Sequence, residues 1–140
     1  MAAERVAIAL GSNLGDRVAA LRFAREAIAA LPQTSLVGAS MIEETKPIGP
    51  LGQGDYLNQM LLVETVLEPH ALLDRLLDIE RAAGRERRER WGPRTLDCDI
   101  VRFGTRTMKG PGLTIPHPEI ANRDFWQREL EDLDARYPAG

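Results

Sequence analysis

Cysteine, histidine and aromatic residues are scarce in this 140-residue chain, and long apolar runs are missing. The single cysteine, Cys98, excludes an internal disulfide and suits a reducing, cytoplasmic setting. The N-terminal apolar run, Val6 to Leu10, is too short for the apolar segment of a secretory leader. No run approaches the roughly 20 residues needed to span a membrane. There is no internal repeat and no low-complexity tract. Gly11-Ser12-Asn13-Leu14-Gly15-Asp16 precedes a helical pattern but lacks the Gly-Lys-Ser/Thr of a Walker loop, so a tight strand-to-helix turn is expected there. With a net charge of −3, the chain as a whole is not a general nucleic-acid binder, and its basic charge is local. Aromatics make up 5 % of the residues, and the aromatic-rich strand motif of sheet-type RNA binders is absent.

What is present suits one domain, residues 1–140, with an ordinary apolar content of 44 % and charged content of 28 %. Val6 to Leu10 reads as a buried strand. Val18, Leu21, Ala24, Ile28 and Leu31 recur at helical spacing, and Pro32 stops that helix. Leu36 to Thr45 reads as a second strand with a bulge at Gly38, and Tyr56 to Val66 as a third. Pro69 opens a helix whose apolar stripe is Leu72, Leu73, Leu76, Leu77 and Ala83, and Gly84 ends it. Thr95 to Phe103 reads as a buried strand. A short edge strand is expected at Arg106 to Lys109, and a turn at Gly110-Pro111-Gly112. The final helix, Trp126 to Arg136, turns Leu130 and Leu133 inward and an acidic face outward. The order strand, helix, strand, strand, helix, strand predicts an α+β fold: a split βαβ antiparallel sheet with its helices on one face.

The chemistry concentrates in Arg90-Trp91-Gly92-Pro93-Arg94-Thr95-Leu96-Asp97-Cys98-Asp99-Ile100-Val101. Alternation along a strand points Asp97 and Asp99 to one face and Leu96, Cys98 and Ile100 to the other. Two neighbouring carboxylates repel unless a cation lies between them, and oxygen ligands on a fixed strand suit Mg²⁺. Arg85, Arg87, Arg88, Arg90 and Arg94 stand upstream, and guanidinium groups match phosphate oxygens. Metal and arginines together point to a polyanionic phosphate ligand such as a nucleoside triphosphate. Lys46 to Asp55 holds two prolines and three glycines, as a linker or a substrate lid would. Tyr56 and Asn58 share a strand face, which suits either a flat heterocycle or plain sheet surface. Glu80 falls on or beside an apolar stripe and needs a partner, such as a salt bridge from an N-terminal arm. These residues leave open a metal-dependent phosphoesterase or nuclease, and an RNA-binding sheet.

The same stretch resembles the signature of the 6-hydroxymethyl-7,8-dihydropterin pyrophosphokinases, which match at Arg90, Gly92, Pro93, Arg94, Asp97, Asp99, Ile100 and Val101; Cys98 replaces an aliphatic residue. Two further blocks fit: Thr45, Pro47, Gly49, Asp55, Tyr56 and Asn58, and then Pro116-His117 followed by Asn122, Arg123 and Phe125. The resemblance implies a ferredoxin-like βαββαβ core and pyrophosphoryl transfer from ATP to 6-hydroxymethyl-7,8-dihydropterin. It assigns Arg85, Arg94, Asp97 and Asp99 to catalysis, the two aspartates holding two Mg²⁺ ions. It assigns Leu73, Leu77, Glu80, Arg87, Trp91, Arg94, Ile100, Thr114, His117 and Arg123 to ATP. Thr45, Lys46, Ile48, Tyr56, Asn58 and Phe125 fall to the pterin, sandwiched between Tyr56 and Phe125. A monomer acting in the cytoplasm on ATP and pterin, without nucleic acid or membrane, is the implied setting. Lys46, Gly112, Pro118 and Glu129 depart from residues common in the family.

Overall fold

Eleven elements follow one another in a computed structural model that describes residues 2–46, 54–84 and 95–138. They are β1 (Glu4–Ser12), α1 (Arg17–Ala29), β2 (Thr34–Ala39), β3 (Glu43–Thr45), β4 (Tyr56–Thr65), α2 (Pro69–Ala82), β5 (Asp97–Phe103), β6 (Met108–Gly110), β7 (Leu113–Ile115), a 3₁₀ turn (Pro118–Asn122) and α3 (Asp124–Arg136). The main sheet runs β2-β4-β1-β5, all antiparallel, and β3 also pairs with β4. This is the α+β, βαββαβ arrangement expected from the order of patterns. Among the described residues, no helix is long and apolar enough to cross a membrane.

β1 is apolar on both faces because both are covered. Val6, Ile8 and Leu10 enter a core with Leu21, Ala24 and Ile28 of α1 and Leu72 and Leu76 of α2. Ala7 and Ala9 face the other way, where Trp126, Leu130 and Leu133 of α3 pack with Met60, Leu62 and Val101. The expectation of helices on one face thus holds for α1 and α2, while α3 covers the opposite face. One face of β1 carries branched side chains and the other small ones. That difference lets a tryptophan approach the sheet closely on the α3 side.

Local departures from the sequence reading have local causes. β1 runs on through Gly11 to Ser12, because Gly11 pairs with Asn58 on one side and Asp97 on the other. The expected strand from Leu36 to Thr45 is two strands. Between them, buried Ser40 donates its N–H to the Met60 carbonyl at 2.9 Å and accepts the Met60 N–H on Oγ at 2.8 Å. A bulge does lie at Gly38, as the register shift between Leu36 and Gly38 records, and a side chain there would overlap the Tyr137 ring. Val18 is 52 % exposed rather than part of the α1 stripe. α1 begins one residue after Asp16, whose Oδ1 accepts the Ala19 N–H at 3.0 Å. The edge strand expected at Arg106 to Lys109 sits slightly later, and Leu113–Ile115 joins it in a separate two-stranded hairpin.

In β5 one extra residue, Val101, lies between the pairs Ile8–Ile100 and Ala7–Arg102. The bulge lets Ile100 and Phe103 reach the α1/α2 core while Val101 joins the α3 side. Arg102 then holds Asp134 of α3 through two bonds, at 2.8 and 3.0 Å. The acidic outer face expected on α3 has one exception. Glu129 is 4 % exposed, and among the described residues no donor reaches its carboxyl oxygens or Oε2 of Glu43, which lies beside it.

Candidate active site

β5 lies at the sheet edge, and its free side is closed by residues distant in sequence. The Cys98 N–H donates to Glu80 Oε2 at 2.7 Å, and the Val101 carbonyl accepts the His117 N–H at 2.9 Å. Glu80 is 4 % exposed, so a partner for the carboxylate on the apolar stripe of α2 is the β5 backbone. Alternation carries Asp97 and Asp99 to the α3 side, while Leu96, Cys98 and Ile100 are buried towards α1 and α2, as expected.

The register sets a row across four strands: Asp97 beside Gly11, Gly11 beside Asn58, Asn58 beside Glu43. Strands lie about 4.8 Å apart, so the backbones of Asp97 and Asn58 are separated by roughly 10 Å. Asn58 is buried and donates from Nδ2 to Thr45 Oγ1 at 2.7 Å. Tyr56, two residues earlier, shares the face of Asn58 and Met60. A Cβ at Gly11 would lie 3.4 Å from Tyr56 Cδ1 and 3.5 Å from Asn58 Oδ1, so the glycine keeps this face open. Asn13 donates to the Gly54 carbonyl at 3.2 Å, and Arg17 to the Asp55 carbonyl at 2.7 Å and to Glu44 at 2.9 Å. These bonds tie the turn after β1 to β3 and to the residues leading into β4. Lys46 is exposed at the end of β3.

On the other side of Asp99, a cleft of about 250 Å³ opens between α2, β5 and the β6–β7 hairpin. Leu73, Asp99, Ile100, Thr114, His117 and Pro118 are among its lining residues. Four residues assigned to ATP by resemblance, Leu73, Ile100, Thr114 and His117, spread over 45 positions of sequence (73 to 117), thus meet in one place beside Asp99. Leu77 is half-buried on α2 and is not part of the lining. His117 Nδ1 accepts the Glu119 N–H at 3.1 Å, so a neutral ring carries its proton on Nε2, 4.0 Å from Asp99 Oδ1. Burial, with the Arg123 guanidinium nearby, holds the imidazole pKa below its usual value against the opposing pull of Glu119.

Arg123 and Phe125 flank the start of α3. The Arg123 guanidinium lies 4.5 Å over the Trp126 ring. The His117 ring meets the same indole edge-on at 5.0 Å and 89°, and Phe125 meets it at 6.3 Å and 72°. Phe125 packs against the α3-side core, on the sheet face that carries Tyr56. Trp126 was legible only as a helix residue. The signal that points to it is the row of small residues Ala7, Ala9 and Gly11, which leaves room for a large side chain. Ile48, Arg85, Arg87, Trp91 and Arg94 lie outside the described residues.

The donor set fits Mg²⁺. Asp97 and Asp99 present carboxylates on one face, Asp99 with its side chain 42 % exposed. A cation held by two carboxylates keeps positions for water and phosphate oxygens.

Residues 7–135 match the family model of 7,8-dihydro-6-hydroxymethylpterin-pyrophosphokinase. Proteins described as 2-amino-4-hydroxy-6-hydroxymethyldihydropteridine pyrophosphokinase are similar over most of the chain. The one from Haemophilus influenzae is 48 % identical over 118 residues, covering 84 % of this chain and 74 % of its own. The one from Pseudomonas aeruginosa is 42 % identical over 139 residues, covering 98 % and 86 %. The one from Bacillus subtilis is 42 % identical over 129 residues, covering 90 % and 75 %.

Proposed function

Because the chain belongs to the 7,8-dihydro-6-hydroxymethylpterin-pyrophosphokinase family, we propose that it transfers the pyrophosphoryl group of ATP to 6-hydroxymethyl-7,8-dihydropterin, as a step of folate biosynthesis. The products are AMP and the pterin diphosphate. The observation that carries the reading is the placement of Asp97 and Asp99 between a cleft lined by Thr114 and His117 and a sheet face carrying Tyr56 and Asn58.

The chemistry is positioning and charge neutralisation. ATP occupies the cleft, its base towards Leu73 and Ile100, with Leu77 and Glu80 on the α2 side, and its phosphates towards Asp99, His117 and Arg123. The neutral His117 offers an Nε2–H to a phosphate oxygen, and its Nδ1 bond to Glu119 fixes the ring for that task. The pterin lies between Tyr56 and Phe125. Asn58, already bonded to Thr45, presents its amide to the heterocycle edge; by resemblance Lys46 and Ile48 also serve the pterin. Asp97 and Asp99 would hold Mg²⁺, two ions with ATP bound, which supplies charge neutralisation on the phosphates and eases deprotonation of the attacking hydroxyl. By resemblance, Arg85 and Arg94 would neutralise developing charge, and Arg87 and Trp91 would serve the nucleotide. The hydroxymethyl oxygen attacks the β-phosphorus, the bond to the α-phosphate oxygen breaks, and AMP leaves with that oxygen. One domain acting as a monomer in the cytoplasm suffices for this chemistry.

The test is product analysis. The protein, ATP, Mg²⁺ and 6-hydroxymethyl-7,8-dihydropterin are mixed, and the nucleotide is identified by chromatography against a control without pterin. Pterin-dependent AMP is expected. ADP, or nucleotide turnover indifferent to pterin, would overturn the reading.

A further inference from the structure

Three side chains of the proposed substrate site meet on one indole that belongs to none of the motifs. Arg123 covers its face, His117 meets its edge, and Phe125 packs beside it. Resting on the ATP reading of the cleft, we propose that Trp126 is a positioning residue for the nucleotide: its buried ring fixes Arg123 and His117 as a pair at the phosphate end.

The ring is suited to this because it is buried and packed on several sides. Trp126 is 2 % exposed and packs with Ala7, Ala9, Met60 and Leu62. Ala9 is the register partner of Asp99, so the indole stands on the strand next to the metal-binding aspartate. Arg123 precedes it by three residues, and the Trp126 N–H bonds the Arg123 carbonyl at 3.1 Å, the first turn of α3. That spacing stacks one side chain over the other. An arginine on the surface spreads over many rotamers and loses side-chain freedom when a ligand orders it. A guanidinium held 4.5 Å over an indole is placed before the ligand arrives, and N–H groups not turned to the ring can reach phosphate oxygens. The perpendicular contact on the same ring limits the tilt of His117, whose backbone is already tied to Val101. One rigid group therefore sets the spacing between two phosphate-facing donors that come from different segments.

The test compares wild type with Trp126→Leu and Trp126→Phe. Each is titrated calorimetrically with a non-hydrolysable ATP analogue and Mg²⁺, and steady-state KM is measured for both substrates. Trp126→Leu should weaken nucleotide binding about fivefold or more and raise the KM for ATP, with the KM for pterin within about twofold. Trp126→Phe, which keeps an aromatic face, should stay within about threefold of wild type. An unchanged nucleotide Kd in folded Trp126→Leu overturns the inference, as does equal weakening towards both substrates. Should Trp126→Leu fail to fold, fluorinated tryptophan placed at position 126 alone keeps the shape and drains the ring of π density. The Kd should then rise with each added fluorine, and a flat series overturns the inference. A wild-type protein that binds the analogue but makes no AMP refutes the proposed function, while the same titrations still decide the role of Trp126. A wild type that binds no nucleotide overturns both.

Discussion

Glu80 reaches from α2 to accept the amide hydrogen of Cys98 at 2.7 Å, on the strand position between Asp97 and Asp99. A buried carboxylate thus holds the backbone from which both acidic side chains project. Glu80→Ala removes the charged acceptor of this buried hydrogen bond, which costs about 1–3 kcal/mol. The Tm should fall by several degrees and turnover should drop with it. Glu80→Gln keeps an acceptor oxygen and should retain more of both. Thermal denaturation of the two variants side by side decides this, and equal losses would contradict a role for the acceptor.

Asp97 and Asp99, the proposed Mg²⁺ ligands, project from the face of β5 opposite buried Leu96, Cys98 and Ile100. Asp97→Asn and Asp99→Asn keep the shape of each side chain and remove its charge. Either should lower kcat by about 100-fold or more without lowering the Tm. Assays across a Mg²⁺ series check the assignment, since near-wild-type turnover in either variant would refute it.

Gly11 separates the two carboxylates from Tyr56 and Asn58. A single methyl group fits, with its nearest contacts at 3.4 and 3.5 Å. The branches of valine have no such room. Gly11→Ala should behave much like wild type, whereas Gly11→Val should raise the KM for pterin by about tenfold through displacement of Tyr56. Binding of the ATP analogue, measured separately, should change less than pterin binding.

Glu129 introduces a pH dependence of stability. Burial first, and then the Glu43 carboxyl beside it, push its pKa from the ordinary 4.5 up to about 9. The folded protein therefore keeps a proton that the unfolded chain releases above about pH 4.5. The contribution is fully present below that pH and is lost as pH rises towards about 9. Glu129→Gln has no such proton to hold. Its Tm should match wild type near pH 4.5 and exceed it increasingly as pH rises to 8. A difference in Tm that is constant across this range would show that Glu129 does not titrate in that window.

Strand and helix order, the D-x-D strand, the Gly38 bulge and the three family blocks were legible in the sequence because each depends on near neighbours along the chain. Alternation alone separates Asp97 and Asp99 from Leu96, Cys98 and Ile100, and helical spacing alone places Glu80 beside an apolar stripe. The partner of Glu80 was not legible, because it is a backbone amide 18 residues away whose exposure depends on β5 being the edge strand. The inward turn of Glu129 was hidden for a similar reason. Its helix reads as amphipathic with acids outside, and only the position of β3 reveals that Glu43 and Glu129 share a buried space.

By itself the sequence determined the α+β class, the family and the chemical types at the site, since residue identity and periodicity carry that information. Tertiary structure decided which types meet. It brought Leu73, Thr114 and His117 to one cleft, set Gly11 between Asp97 and Asn58, and laid α3 on the face opposite α1 and α2. It also made Trp126 the common neighbour of His117 and Arg123. These are matters of register and of which sheet face each helix covers. They follow from packing side-chain volumes against one another across the whole chain, and no local pattern records that packing.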